Sequence, residues 1–343
     1  MMKVLFFVIV SILGVVNATA DKEKDHNNKA HKALCDLMKA AVGKWGDGGQ
    51  GLSKPLKKAL GRTLFGKVEG GDLSDIKGLP KDYNEVEGTD SSRGNWCGQP
   101  YEGGFNGVNQ ARWAGHSAPH DMVCLCTVGE KGWPLNESDN RIEKLCGLEK
   151  KALEAEDNQG WGYTKHEGNK HVTATWTKIV TPCLEEKVGK DLKQALNDFL
   201  RKLVNKSSDF YSNRFQLGEG DPYDSYACTG SATYGVCVEY YNTTGLWYPM
   251  PWWVDLQKAL PEEEKFQEEK KKLEEEERRR HQEDREKTNP AQTEALKSTH
   301  TSTNQTERSQ NDNITDKLRR LNLTSGTPIS LPSSWLLRAV FLF

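Results

Sequence analysis

The sequence predicts a mainly α protein: an elongated antiparallel helical hairpin or bundle with disulfide-tied loops and short strands, then a charged helical rod and a disordered tether. Three observations predict this. Two segments have sustained helical period, eight cysteines are confined to residues 35–237, and the composition turns sharply polar after residue 260.

The first periodic segment, "NNKAHKALCDLMKAAVGKW", places Ala30, Ala33, Leu34, Leu37, Met38 and Ala41 on one face and stops at a glycine cluster. The second runs from about Pro182 to Phe210. It carries Leu184, Val188, Leu192, Ala195, Leu196, Phe199, Leu200, Leu203 and Val204 at steps of three and four. As one helix it would reach ~40 Å. Its other face is charged, so its apolar stripe is best buried against the first helix, which makes a helical hairpin the expected core. Residues 46–180 are dense in Gly, Asn, Asp and Trp without sustained period, which predicts loops and short strands.

The N-terminal stretch "MMKVLFFVIVSILGVVNATA" has Lys3, an apolar run from Val4 to Val16 and the small-residue pattern Ala18-Thr19-Ala20. That layout predicts a secretory signal peptide over residues 1–20, cut after Ala20 or Ala18. In an oxidising compartment the eight cysteines, Cys35, Cys97, Cys124, Cys126, Cys146, Cys183, Cys228 and Cys237, read as four disulfides. Spacing alone leaves the connectivity open. The best local expectation is Cys228 with Cys237, because "CTGSATYGVC" holds two glycines and can fold as a tight loop.

The ectodomain is therefore expected over residues 21–260. Residues 261–287 follow as a charged helical segment, in which "EEEKFQEEKKKLEEEERRRHQEDREK" holds 12 acidic and nine basic residues. Glu268 with Lys272, and Glu274, Glu275 and Glu276 with Arg278, Arg279 and Arg280, sit four apart with the acid first, the better order for helical ion pairs. Phe266 and Leu273 are seven apart, too few to make a coiled-coil seam. Residues 288–325 are rich in Thr, Ser, Asn and Gln and are expected to be a flexible tether. N-glycosylation sequons fall at Asn136, Asn205 and Asn242 in the body and at Asn304, Asn313 and Asn322 beyond it.

The closing stretch "SGTPISLPSSWLLRAVFLF" has small residues, a polar spacer and a nine-residue apolar tail from Trp335, which reaches only ~14 Å as a helix. It is too short to span a bilayer. The layout is that of a glycosylphosphatidylinositol (GPI) attachment signal over residues 326–343, with Ser325 as acceptor and Gly326 and Asn322 as alternatives.

Catalytic, cofactor and metal sites are not expected. A formal net charge of -2 gives no electrostatic reason for a nucleic-acid partner. "GDGGQG", Gly46 to Gly51, satisfies a dinucleotide-binding spacing, but it follows a helix rather than a strand and reads as a helix-terminating turn. His116, His120, Cys124 and Cys126 are all capable zinc ligands, yet their spacing departs from paired-cysteine sites and disulfides are favoured. His166 and His171 have no recognisable partners, and no nucleophile elbow, H-E-x-x-H or Walker loop occurs. The tryptophans, among them Trp161, Trp176, Trp247, Trp252 and Trp253, read as core or interface fillers.

Leader, cysteine-rich helical body, charged segment, hydrophilic tether and closing tail together resemble the variant surface glycoproteins of African trypanosomes, in the shorter form of Trypanosoma congolense. The "GNWCGQP" and "MVCLC" stretches support the resemblance. A second cysteine-rich domain, common in other lineages, is not expected, since no cysteine follows Cys237 in this sequence. The resemblance implies a homodimer in a dense coat, GPI-anchored to the outer leaflet of the plasma membrane. Such a coat meets host antibodies and evades them by antigenic variation. The rival expectations are a surface nutrient receptor on the same scaffold and a secreted disulfide-rich hydrolase.

Overall fold

The computed structural model describes residues 24–87, 92–101, 111–136, 142–162, 168–185, 191–209, 211–221, 227–242 and 249–287. Helix α1 (Asn28–Trp45) is the central element, packing against α2 (Lys54–Phe65), α4 (Ala118–Cys126), α6 (Thr181–Leu184) and α7 (Leu192–Leu200). The expected face of α1 is buried, and so are Cys35, Ala40, Val42 and Trp45. Burial on several sides is what a helix in the middle of a bundle requires. The mainly α class is as expected, and the two periodic segments do meet, covalently as well through Cys35–Cys183.

The second segment is not one long helix. It breaks after α6, where Glu185 is extended, and restarts at α7, whose N-cap Asp191 accepts the N–H groups of Lys193 and Gln194. The Asp191 cap wins over the periodic stripe, because its carboxylate satisfies the backbone donors at the point where the helix restarts. After Leu200 the chain turns into a strand, β4 (Val204–Asn205), so Leu203 lies in the turn and Val204 in the strand rather than in the helix.

Residues 46–180 hold more helix than expected. Ser53 caps α2 by accepting the Leu56 N–H, with Pro55 in the first turn, and Leu56, Ala59, Leu60 and Leu64 form its buried stripe. Helices α3 (Arg93–Cys97), α4 and α5 (Asn169–Thr175) also fall here, and α5 runs through a π-helical turn, Trp176–Val180, into α6. The "GDGGQG" segment ends α1 as expected: Gly46, Gly48, Gly49 and Gly51 all have positive φ, open to glycine without a Cβ penalty.

Two three-stranded sheets flank the helices. In the first, β1 (Lys24–His26) runs parallel to β2 (Ile142–Leu145), which pairs antiparallel with β3 (Leu148–Glu149). In the second, β4 pairs antiparallel with β5 (Arg214–Glu219), and β5 with β6 (Val236–Tyr241), with Arg214 opposite Tyr241 and Glu219 opposite Val236. Strand β6 is buried throughout and lies against α4.

The last described element, α8 (Trp252–Lys287), crosses the boundary expected at residue 260 as one 36-residue helix, ~54 Å long. It lies antiparallel to α2: Arg62, late in α2, bonds Asp255, while Ser53, at the start of α2, donates its N–H to Glu263 at 2.8 Å. Trp252, Leu256, Ala259 and Glu263 form the buried stripe. Beyond Lys270 the side chains are exposed or half-buried, and the expected pair Glu276 and Arg280 is formed.

Three glycines permit a close crossing in the body. A Cβ on Gly129 would overlap the Gly230 carbonyl, and one on Gly160 would overlap that of Gly129. There the Glu130 N–H donates to the Gly230 carbonyl at 2.8 Å and the Trp161 N–H to that of Val128 at 2.9 Å. Gly129→Ala should force these segments apart and cost more than about 3 kcal/mol, read as a lowered denaturation midpoint. Gly43→Ala, on the exposed side of α1 with nothing within 4 Å of its Cβ, should instead stabilise by about 0.5–1 kcal/mol. Equal effects at the two positions would contradict the crossing.

Candidate functional site

All eight cysteines are joined, as Cys35–Cys183, Cys97–Cys124, Cys126–Cys146 and Cys228–Cys237. The local expectation for Cys228 and Cys237 holds: the loop between them closes through Cys228 N–H to the Tyr234 carbonyl and Gly230 N–H to that of Gly235, both 2.9 Å. The Cys35 bridge joins residues 148 positions apart, which in the chain-entropy account removes about 5 kcal/mol of unfolded-state freedom.

This pairing decides the fate of the histidine–cysteine cluster. Cys124 and Cys126 spend their sulfurs on different partners, so neither offers a thiolate. His120 is held in the core instead. Its Nε2 lies 3.0 Å from the Trp96 carbonyl, which can only accept, so Nδ1 accepts the Tyr83 hydroxyl at 2.8 Å. Burial lowers its pKa to about 3, and the ring stays neutral. His116 packs its ring over Gly66, where a Cβ would overlap it. His171 is also buried, with Nδ1 3.2 Å from the Leu153 carbonyl, whereas His166 lies outside the described residues.

The charged groups in the core serve the fold. Arg93, 0% exposed, sends its guanidinium to the carbonyls of Cys124 (2.6 Å), Thr127 (2.9 Å) and Trp161 (3.1 Å). It therefore caps the C-terminal end of α4, where carbonyls lack helical partners and the dipole favours a cation. Burial lowers its pKa to about 9. Asp121, on the same helix, accepts the Gly115 N–H at 2.9 Å on one oxygen, and the Tyr240 hydroxyl (2.9 Å) and Trp252 Nε1–H (2.7 Å) on the other. Asn27, left-handed at φ 61, joins β1 to both α4 and the second sheet. Its Nδ2 donates to the carbonyls of Leu125 and Val236, and its Oδ1 accepts the Glu219 N–H.

Glu239 on β6 lies 3.3 Å from the Arg214 Nε, both side chains being buried. Burial outweighs this partner and pushes the Glu239 pKa up to about 8, and it likewise raises that of Asp121 to about 7. None of these core groups was singled out from sequence. Their partners lie as far as 209 residues away, as for Asn27 and Val236, and no local spacing records them.

An open groove beside α5 is lined by Glu154, Lys170, Thr173 and Lys178 among others. Of the expected glycan acceptors, Asn136 and Asn205 are exposed and Asn242 is half-buried. Asn304, Asn313 and Asn322, the anchor residues Ser325 and Gly326, and the leader all lie outside the described residues. No helix among the described residues is long and apolar enough to cross a membrane.

Four buried bridges, polar groups committed to packing and a long charged helix leaving the body define a disulfide-stapled helical scaffold. Residues 44–282 match the family model described as the trypanosomal VSG domain, and the chain belongs to that family. It is also similar to the variant surface glycoprotein YnAT 1.3 of Trypanosoma congolense, 24% identical over 163 residues that take in 45% of this chain and 36% of that protein. The chain thus matches about a third of that relative's length.

Replacing Asp121 with Ala should leave three buried donors without an acceptor and cost several kcal/mol, at about 1–3 for each orphaned group. Loss of the cooperative denaturation transition, or its shift to much lower denaturant, would show it. The two raised carboxylates also set a pH trend. Folded Asp121 and Glu239 hold protons that the unfolded chain releases above about pH 4, so their contribution to stability is fully present below about pH 4 and falls as pH rises through 7 to 8. Glu239→Gln should flatten that fall between pH 6 and 8; an unchanged slope would contradict a protonated Glu239.

Proposed function

We propose that the protein is a GPI-anchored surface coat glycoprotein that forms a dense homodimeric layer and evades host antibody by antigenic variation. The observation that carries this reading is the VSG-domain match over residues 44–282. The chemistry read from the termini supports it. A leader over residues 1–20 delivers the chain to an oxidising compartment, where eight cysteines pair without remainder. The tail after Ser325 is exchanged for a glycolipid: the acceptor's peptide bond is cut and its new carboxylate is joined to the ethanolamine of the anchor. Residues 288–325 then serve as the tether, and the sequons Asn136, Asn205, Asn242, Asn304, Asn313 and Asn322 as glycan acceptors. A coat requires no catalytic group. It requires a body whose interior stays fixed while its exterior changes, and the buried network supplies that.

The anchor is the testable part. Phosphatidylinositol-specific phospholipase C should shed the protein from living cells, and the shed chain should begin at Asp21 or Thr19. Replacing both Ser325 and Gly326 with Trp should block the exchange, because the acceptor's small side chains are a steric requirement, and the unprocessed chain should stay inside the cell. If the double variant still reaches the surface and is shed, the acceptor lies upstream, at Asn322.

A further inference from the structure

A ring nitrogen of His31 and the sulfurs of Cys35 and Cys183 all lie within 4.8 Å of one another. Residues four apart in α1 share a face, which brings His31 beside Cys35, and α6 carries Cys183 to the same place. This bridge is the long-range staple of the body. Cys35 and Cys183 are 148 positions apart, whereas the other pairs span 27, 20 and 9. It is also the most open of the four: Cys35 is 8% exposed, and the other seven cysteines are at 2% or less. His31 itself is half-buried, so protons can pass between its ring and solvent.

His120 supplies the contrast. Its Nε2 lies 3.6 Å from Cys124 Sγ in the Cys97–Cys124 bridge, but the ring is fully enclosed and both nitrogens are committed, to Tyr83 and to the Trp96 carbonyl. With its pKa lowered to about 3, it holds no proton to give. At His31 burial also lowers the pKa, while Asp25 on β1 and Asp36 on α1 act the other way, against Lys39. Helix α6 carries no charged side chain. The His31 ring is therefore mainly neutral at pH 7 and gains a proton in acid solution, with water able to supply it.

We propose that Cys35–Cys183 is a redox-sensitive switch, opened and closed in the folded protein by exchange with an external dithiol, with His31 carrying the proton. The dithiol's first thiolate attacks Cys35 Sγ and forms a mixed disulfide. The Cys35–Cys183 bond breaks, and its electron pair goes to Cys183 Sγ, which takes a proton from His31. The dithiol's second thiolate then attacks the first dithiol sulfur; Cys35 leaves with the electron pair and takes the second proton, and the dithiol departs as a disulfide. It has lost two electrons and two protons, and the two cysteines have gained them. In the reverse direction the neutral ring accepts the proton of the Cys183 thiol. Opening releases α1 from α6 and leaves the three local bridges in place, so the switch acts on the helix around which the body is packed.

The purified full chain tests this under native conditions. Dithiothreitol is added, released thiols are alkylated, and peptide mass spectrometry identifies them. Cys35 and Cys183 should be alkylated first, about tenfold sooner than any other pair, while near-ultraviolet circular dichroism stays that of the folded protein. Divided by the thiolate concentration of the dithiol, the opening rate should rise as pH falls through the His31 titration. His31→Gln should flatten that rise and slow opening about tenfold in acid solution, with an unchanged denaturation midpoint that separates proton transfer from a structural role. Asp25→Asn should move the rise to lower pH, because the lost carboxylate favours the charged ring. First opening of any other bridge, or opening only as the fold is lost, overturns the switch. A His31→Gln profile that matches wild type overturns the part given to the histidine.

Discussion

Three donors converge on the Asp121 carboxylate, each from a different part of the fold: the turn before α4, strand β6 and the start of α8. With the Trp252 N–H bonded to the Gly115 carbonyl at 3.0 Å, this junction fixes where α8 begins and in which direction it leaves. Everything downstream inherits that direction, because α8 then runs unbroken to Lys287. A carboxylate can accept three bonds when ionised. When protonated it keeps the same contacts if the Tyr240 hydroxyl turns from donor to acceptor, so the junction tolerates either state.

The rest of the interior is organised on the same logic, in which polar groups replace apolar volume at points where several backbones meet. Arg93 satisfies carbonyls from the end of α4 and from the Trp161 segment, directly beside the crossing of Gly129, Gly160 and Gly230. Glycine lets the chains approach, and the guanidinium then answers the carbonyls that the approach would otherwise bury unpaired. Disulfides fasten the same region, since Cys97–Cys124 and Cys126–Cys146 both grip α4. Helix α4 is thus fixed by two covalent bonds, a buried cation and a buried carboxylate within nine residues.

What was legible in the sequence was local. The buried face of α1 could be read because small and apolar residues recur at helical steps, and Cys228–Cys237 because its two ends lie nine residues apart across glycines. The segment from Pro182 misled because Leu203 and Val204 continue a stripe that the chain has already left. Periodicity reports which residues prefer burial, not where a cap such as Asp191 restarts the helix. The signals for α2, Ser53, Pro55 and the Leu56-Leu60-Leu64 spacing, were present but embedded among glycines. Arg93, Asp121 and Glu239 were out of reach: a charged residue reads as surface unless its partners are known, and those of Asp121 lie up to 131 residues away.

The arrangement of α8 also gives the molecule a mechanical order of failure. No disulfide ties it to the body along its length, because the last bridged cysteine, Cys237, precedes it. Tension applied at Lys287 would travel along the helix and meet first the Gln267 and Glu263 contacts to the turn before α2, then the Arg62–Asp255 pair, and last the Asp121 junction. These bonds would open one after another, as in unzipping, while the four cross-linked loops kept the remainder folded. A pull on the C-terminal end would therefore be absorbed by peeling a single helix before the stapled body felt it.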